Sequence, residues 1–263
     1  MDVHTHVWPD DVAPRAIGAL TDDARPVPHY DGTPTGLLEL MNTSGVDVAV
    51  LQPVATRASQ VVSINTFTAS QASSRLVPFG AMHPEFEEPE AEIERMAAIG
   101  IKGIKLHPEF QDFDPGEPRM HRVYRAASEH GLKILFHAGV DPAYETVRGV
   151  PTTFKRIIAQ YPDLTIILAH MGGYQVWDEV AEHLLGDNVY LDTAYTLGHL
   201  PNEDVASIIR GHGTDRILFG SDGPWKHVAE EVVKLRELDL GADELEAILW
   251  RNAARLLDLN LVG

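Results

Sequence analysis

Eight short apolar runs, each followed by a segment of helical length, recur from the first residues of the chain almost to its end, and this alternation limits the fold more than any other feature. The runs cover residues 2–7, 47–54, 77–83, 101–107, 132–138, 164–170, 189–194 and 217–222. Helix-length segments lie at 35–43, 60–74, 88–99, 118–130, 151–160, 175–185, 202–211 and 227–238. Gly100 and Gly131 follow the third and fourth of these, Pro151 opens the fifth and Pro162 closes it, which are the residues that stop and start helices. Residues 243–258 repeat apolar positions at helical spacing through Leu245, Ile248, Leu249, Leu256 and Leu257, predicting a last amphipathic helix packed against the rest. Eight βα units in 263 residues predict one domain, residues 1–263, folded as an α/β (β/α)8 TIM barrel with a C-terminal extra helix. A doubly wound open sheet is the competing architecture. It places a glycine-rich turn after the first strand, where His4 and His6 stand instead. Residues 8–34, with Pro9, Pro14, Pro26, Pro28 and Pro34, read as a long irregular stretch suited to cover the barrel mouth as a lid.

Composition narrows the chemistry. With no cysteine, any bound ion must be held by nitrogen and oxygen, which favours zinc, manganese, iron or nickel. A net charge of −18 argues against nucleic acid as a partner. No run is long or apolar enough to cross a bilayer and no basic-then-apolar leader opens the sequence, so a soluble cytoplasmic protein that does not bind membranes is expected. Barrels often pair, so a homo-oligomer is allowed, although no apolar stripe marks an interface.

Metal-type side chains sit where a barrel puts its chemistry, at strand C-termini. His4 and His6 share one face of the first run by strand alternation; His137, His170 and Asp222 end the fifth, sixth and eighth. A single histidine at a strand end is more often a hydrogen-bonded structural residue, and His29, His130, His183, His199, His212 and His227 are read that way. Two histidines on one inner face leave costly buried polar groups unless something binds them. A buried aspartate below a barrel mouth likewise calls for a cation or donors. As an ordered set the five read as one metal site.

The His-x-His of the first strand, the histidines ending strands five and six and the aspartate ending strand eight resemble the metal-dependent amidohydrolase superfamily. Ala169-His170-Met171-Gly172-Gly173, Phe219-Gly220-Ser221-Asp222-Gly223-Pro224-Trp225 and Asn252-Ala253-Ala254-Arg255-Leu256-Leu257 resemble its branch of small barrels, which includes aminocarboxymuconate-semialdehyde decarboxylase and pyrone-dicarboxylate lactonase. The resemblance implies that His4, His6, His137 and Asp222 ligate one divalent ion, zinc first and manganese next. It implies that Asp222 moves the proton of a metal-activated water and that His170, beside the metal, polarises a carbonyl or stabilises an oxyanion. Relatives usually carry a residue or more before the first strand, which raises the question of a true start upstream of Met1.

Lys105 and His107 share a face of the fourth strand. They are read first as contacts to a substrate carboxylate or carbonyl. The second reading is a carboxylated Lys105 bridging two metals, as in binuclear relatives, and the third a lysine reaching solvent along its stem. Trp8 and Trp225 flank the metal-ligand segments, where flat rings wall a pocket for a small planar substrate or simply pack. Tyr174 and Trp177 stand in the same position after His170, and His83, Gln52, Asp192 and Arg57 are weaker substrate contacts. The leading expectation is a hydrolase of a small carboxylate-bearing amide, ester or lactone. The alternative is nonoxidative decarboxylation of an aromatic or unsaturated acid on the same site, and a third reading is a barrel that binds without turnover.

Overall fold

A computed structural model describes residues 1–21 and 27–260. All eight expected strand positions are occupied, by segments shorter than the apolar runs: β1 (Asp2–Thr5), β2 (Ala49–Leu51), β3 (Leu76–Pro78), β4 (Gly80–Ala81), β5 (Gly103–Leu106), β6 (Lys133–Phe136), β7 (Ile166–Leu168), β8 (Tyr190–Asp192) and β9 (Ile217–Leu218). Two of these, β3 and β4, are halves of one strand parted at Phe79, whose N–H still bonds Leu51 while Lys102 bonds Pro78 on the other side. Pairing is parallel throughout, in the order β1-β2-β3 and β4-β5-β6-β7-β8-β9. The barrel closes where Val3 donates to Phe219 at 2.9 Å, Asp222 to His4 at 2.9 Å and His6 to Gly223 at 2.8 Å.

Alternation along each strand sorts the core into two layers. Ile134 and Phe136 of β6 face outward, Phe136 packing on Tyr124 and Phe154 of the helical shell. Leu135 faces inward with Val50, Val77, Phe79, Ile167 and Leu218, filling the barrel below the site, and Ala253 and Leu257 close that layer. The C-terminal extra helix is present as α-helix Ala242–Glu246, a π-turn Ala247–Arg251 and α-helix Asn252–Leu256. It is tied to the last strand: Phe219 donates to Ile248, and the Asn252 amide donates to Thr214 and Ile217, each at 2.8 Å.

One expectation needs correcting. The stretch 8–34 is not irregular throughout, because it holds a helix, Ala13–Leu20, with Pro14 in its first turn. A proline there removes no intrahelical hydrogen bond. Residues 22–26 of the expected lid lie outside the described residues. The remainder packs over the junction of β1 and β9, with Trp8 donating to Gly32, His29 to Pro224 and the Tyr30 hydroxyl to the His6 carbonyl. No helix among the described residues is long and apolar enough to cross a membrane.

Candidate active site

Strand β1 delivers His4 and His6 into the barrel, and the turn after β9 brings Asp222 against them. Asp222 Oδ1 lies 3.1 Å from His6 Nε2 and 3.3 Å from His4 Nε2. This close approach needs Gly220, since a Cβ there would come within 2.9 Å of the His4 Cβ. Asp222 and His170 hold left-handed backbone, φ 69° and 59°, which non-glycine residues adopt at a cost and which collects at functional sites.

Hydrogen bonds on the far side of each ring set its tautomer. His4 Nδ1 faces Asp192 Oδ2 at 2.9 Å and His6 Nδ1 faces the Gln52 carbonyl at 2.6 Å, acceptors that require the proton on Nδ1. The two Nε2 atoms are then bare, and with the Asp222 carboxylate they form three electron-pair donors within 4.8 Å of one another. Such a set repels itself unless a cation lies among it, so these residues fit a divalent metal. Burial pushes His4 down to about 4, reinforced by the Lys105 charge and opposed by Asp192 and Asp222, so it stays neutral at pH 7. Burial alone would raise the Asp222 carboxyl, but His4 and His6 hold it well below the usual carboxylate range, ionised as a ligand must be.

His137 and His170 meet each other before they meet the triad. His170 Nδ1 donates to the Ala194 carbonyl at 2.8 Å, leaving its Nε2 3.1 Å from His137 Nδ1. His107 stacks flat on His137, centroids 4.1 Å apart, with its Nε2 3.5 Å from Asp141. His107, His137 and Asp141 make a second group of possible ligands joined to the first through His170. His137 Nε2 and Glu109 Oε2, 4.0 Å apart, are both buried without a hydrogen-bond partner among the described residues. Of the four expected ligands, therefore, the structure gathers His4, His6 and Asp222 in one group and seats His137 in the adjoining one.

Lys105, expected on the inner strand face, is 1% exposed with Nζ 3.2 Å from His4 Nε2. Burial lowers it to about 8, against the pull of Asp192 and Asp222. Trp8 is half-buried with its ring 6.3 Å from that of His6, and Trp225 is half-buried after Asp222. Arg57 is exposed, and His83 is buried beside Glu85, accepting its N–H. Asp192 differs from its expected role as a substrate contact. Fully buried, it binds His4 through one oxygen and the backbone of His170 and Ala194 through the other, each at 3.0 Å. Glu109 and Asp141 were not anticipated, because each lies in a loop with no strand periodicity to mark it.

A parallel barrel with a histidine–aspartate candidate metal triad at its mouth is the arrangement of an enzyme of the amidohydrolase type. The chain matches the model of the Amidohydrolase family over residues 1–259 and belongs to that family. No curated protein matches it. Among solved structures it is similar to 5-carboxyvanillate decarboxylase from Sphingomonas paucimobilis, with 20% identity, 98% of each chain covered and a TM-score of 0.76. It is also similar to a dihydroxybenzoic acid decarboxylase from Polaromonas sp. JS666 with bound manganese and the inhibitor 2-nitroresorcinol, with 17% identity, 99% of this chain and 97% of that one covered and a TM-score of 0.75. A third, 2,6-dihydroxybenzoate decarboxylase from Rhizobium, shares 15% identity over 98% of each chain with a TM-score of 0.73. At these identities the likeness is one of fold.

Proposed function

We propose that this enzyme is a divalent-metal-dependent, nonoxidative decarboxylase of an aromatic or unsaturated carboxylic acid. The observation that carries the reading is Lys105: a buried ammonium beside the metal triad that makes no ion pair among the described residues. Asp192 and Asp222 pull on it without pairing with it, and a substrate carboxylate would supply the direct partner. The decarboxylases of like fold add support, and the manganese bound in one of them supports manganese as a candidate ion beside zinc.

In this reaction the bond between the carboxylate carbon and its neighbour breaks, the electron pair stays on the neighbouring carbon, carbon dioxide leaves and a proton replaces it, with no oxidant needed. His4, His6 and Asp222 would hold the divalent ion, which when bound would supply positive charge to stabilise the negative charge developing on the substrate. Lys105 orients the acid. His170, anchored through Nδ1 on Ala194 with its Nε2 3.1 Å from His137 Nδ1, or Asp222 after taking a proton from water, delivers the proton to carbon. Trp8 and Trp225 flank the planar substrate.

Hydrolysis of a carboxylate-bearing amide, ester or lactone is the second reading, supported by the Amidohydrolase family to which the chain belongs. The test is carbon dioxide release by enzyme loaded with manganese or zinc, across a panel of aromatic and unsaturated acids. Release is expected, and Asp222→Asn should lower it at least about 100-fold, the scale of one acid–base residue. Ester, lactone or amide hydrolysis without carbon dioxide from any acid would overturn the decarboxylase reading in favour of the second.

A further inference from the structure

Beyond the last three strands lies a cluster that the chemistry above leaves unused. Tyr174 follows β7, Tyr195 and His199 follow β8, and Lys226 follows β9. The Lys226 ammonium donates to His199 Nε2 at 2.9 Å and sits 4.3 Å from the centroid of the Tyr195 ring. Tyr195 and His199 stack with centroids 4.9 Å apart and planes 17° off parallel. Tyr174 meets both rings edge-on, its hydroxyl 3.4 Å from His199 Nδ1, and its ring lies 6.1 Å from that of His170, which joins the cluster to the metal site.

Three features separate this cluster from ordinary packing. Lys226 is half-buried in a chain with 39 acidic residues, yet makes no ion pair among the described residues. Its ammonium is instead held by a neutral imidazole and a ring face, contacts that fix its position without cancelling its charge. Tyr195 holds φ 54°, a left-handed conformation that an aromatic residue seldom adopts and that turns it towards the mouth-side neighbours just named.

We infer that Tyr174, Tyr195, His199 and Lys226 form an anion subsite, in which Lys226 takes a second carboxylate of a planar dicarboxylic acid whose reacting carboxylate lies at the metal triad. The inference rests on the decarboxylase reading for which carboxylate reacts. Binding of the distal one depends only on Lys226 and the rings. A monocarboxylate can fill the metal end alone, whereas a dicarboxylate gains a charge-assisted hydrogen bond at the rim.

The test is calorimetric titration of the manganese-loaded enzyme with isophthalate and with benzoate, chosen as binding probes so that turnover is not the readout. Isophthalate is expected to bind at least about tenfold more tightly than benzoate, the scale of one hydrogen bond to a charged group. That ratio should fall towards one in Lys226→Met and be kept in Lys226→Arg, which retains the charge. Equal affinities in the parent enzyme, no binding of isophthalate, or a preference that persists in Lys226→Met would each overturn the subsite. Absence of carbon dioxide release from every acid would defeat the decarboxylase reading separately, leaving the measured affinity ratio to stand or fall by itself.

Discussion

Asp192 spends both carboxylate oxygens on the protein: one on His4 Nδ1 and the other on the N–H groups of His170 and Ala194. Burial alone would raise its carboxyl, but His4 and His170 hold it below the usual range, so it remains an acceptor and keeps the His4 proton on Nδ1. It is a positioning residue, and losing such a partner of a ligating histidine lowers metal affinity about 10- to 100-fold. Asp192→Asn is therefore expected to weaken manganese or zinc binding by that factor in competition titrations, with unchanged circular dichroism. An unchanged affinity would mean that His4 does not ligate through Nε2. The His-x-His pair was legible because strand alternation is a local rule. The contact from His4 to Asp192 spans 188 residues, and nothing local announces it.

At the scale of elements, the strands are shorter than their apolar runs because the chain turns inward as soon as it reaches the site. His6, His107 and His137 directly follow β1, β5 and β6, whereas His170 and Asp222 lie in the turns after β7 and β9. Prolines misled the reading of residues 8–34, since Pro14 begins a helix instead of preventing one. Asn252 shows one side chain tying two segments together: its amide satisfies two carbonyls, at Thr214 and Ile217, and helps hold the C-terminal helical segment beneath the barrel. Asn252→Ala leaves the buried Ile217 carbonyl without this donor and should cost about 1–3 kcal/mol in urea unfolding. A loss below about 0.5 kcal/mol, the range of surface changes, would show that the segment is held by its apolar face alone.

For the whole molecule, the site makes the metal-free protein sensitive to acid. Burial, first among the causes, pushes His4 down to about 4 and puts His107 and His137 well below their ordinary values. Below about pH 6.5 the unfolded chain takes up protons on these groups that the folded chain does not, so stability falls with pH by about 1.4 kcal/mol per pH unit for each. Asp2, pushed up to about 6 by burial, and Glu109, raised by burial, act in the opposite direction over the carboxylate range. Three histidines acting from about pH 6.5 outweigh two acids, of which Asp2 acts from about pH 6 downward, and predict that the urea midpoint of chelated protein drops between pH 7 and pH 5. A midpoint unchanged or raised at pH 5 would contradict the neutral, buried histidines on which the metal site depends.

The sequence by itself determined the barrel and the order of its units and marked a histidine and aspartate set as candidate metal ligands, because periodicity and strand-end position are properties of short segments. The side-chain partners around that set were decided by tertiary structure. Closure of β1 against β9 brings Asp222 to His4 and His6, and Asp192, Glu109 and Lys226 reach their partners only after loops from separate strands converge. Those contacts depend on distances between segments far apart in the chain, which composition and spacing do not encode.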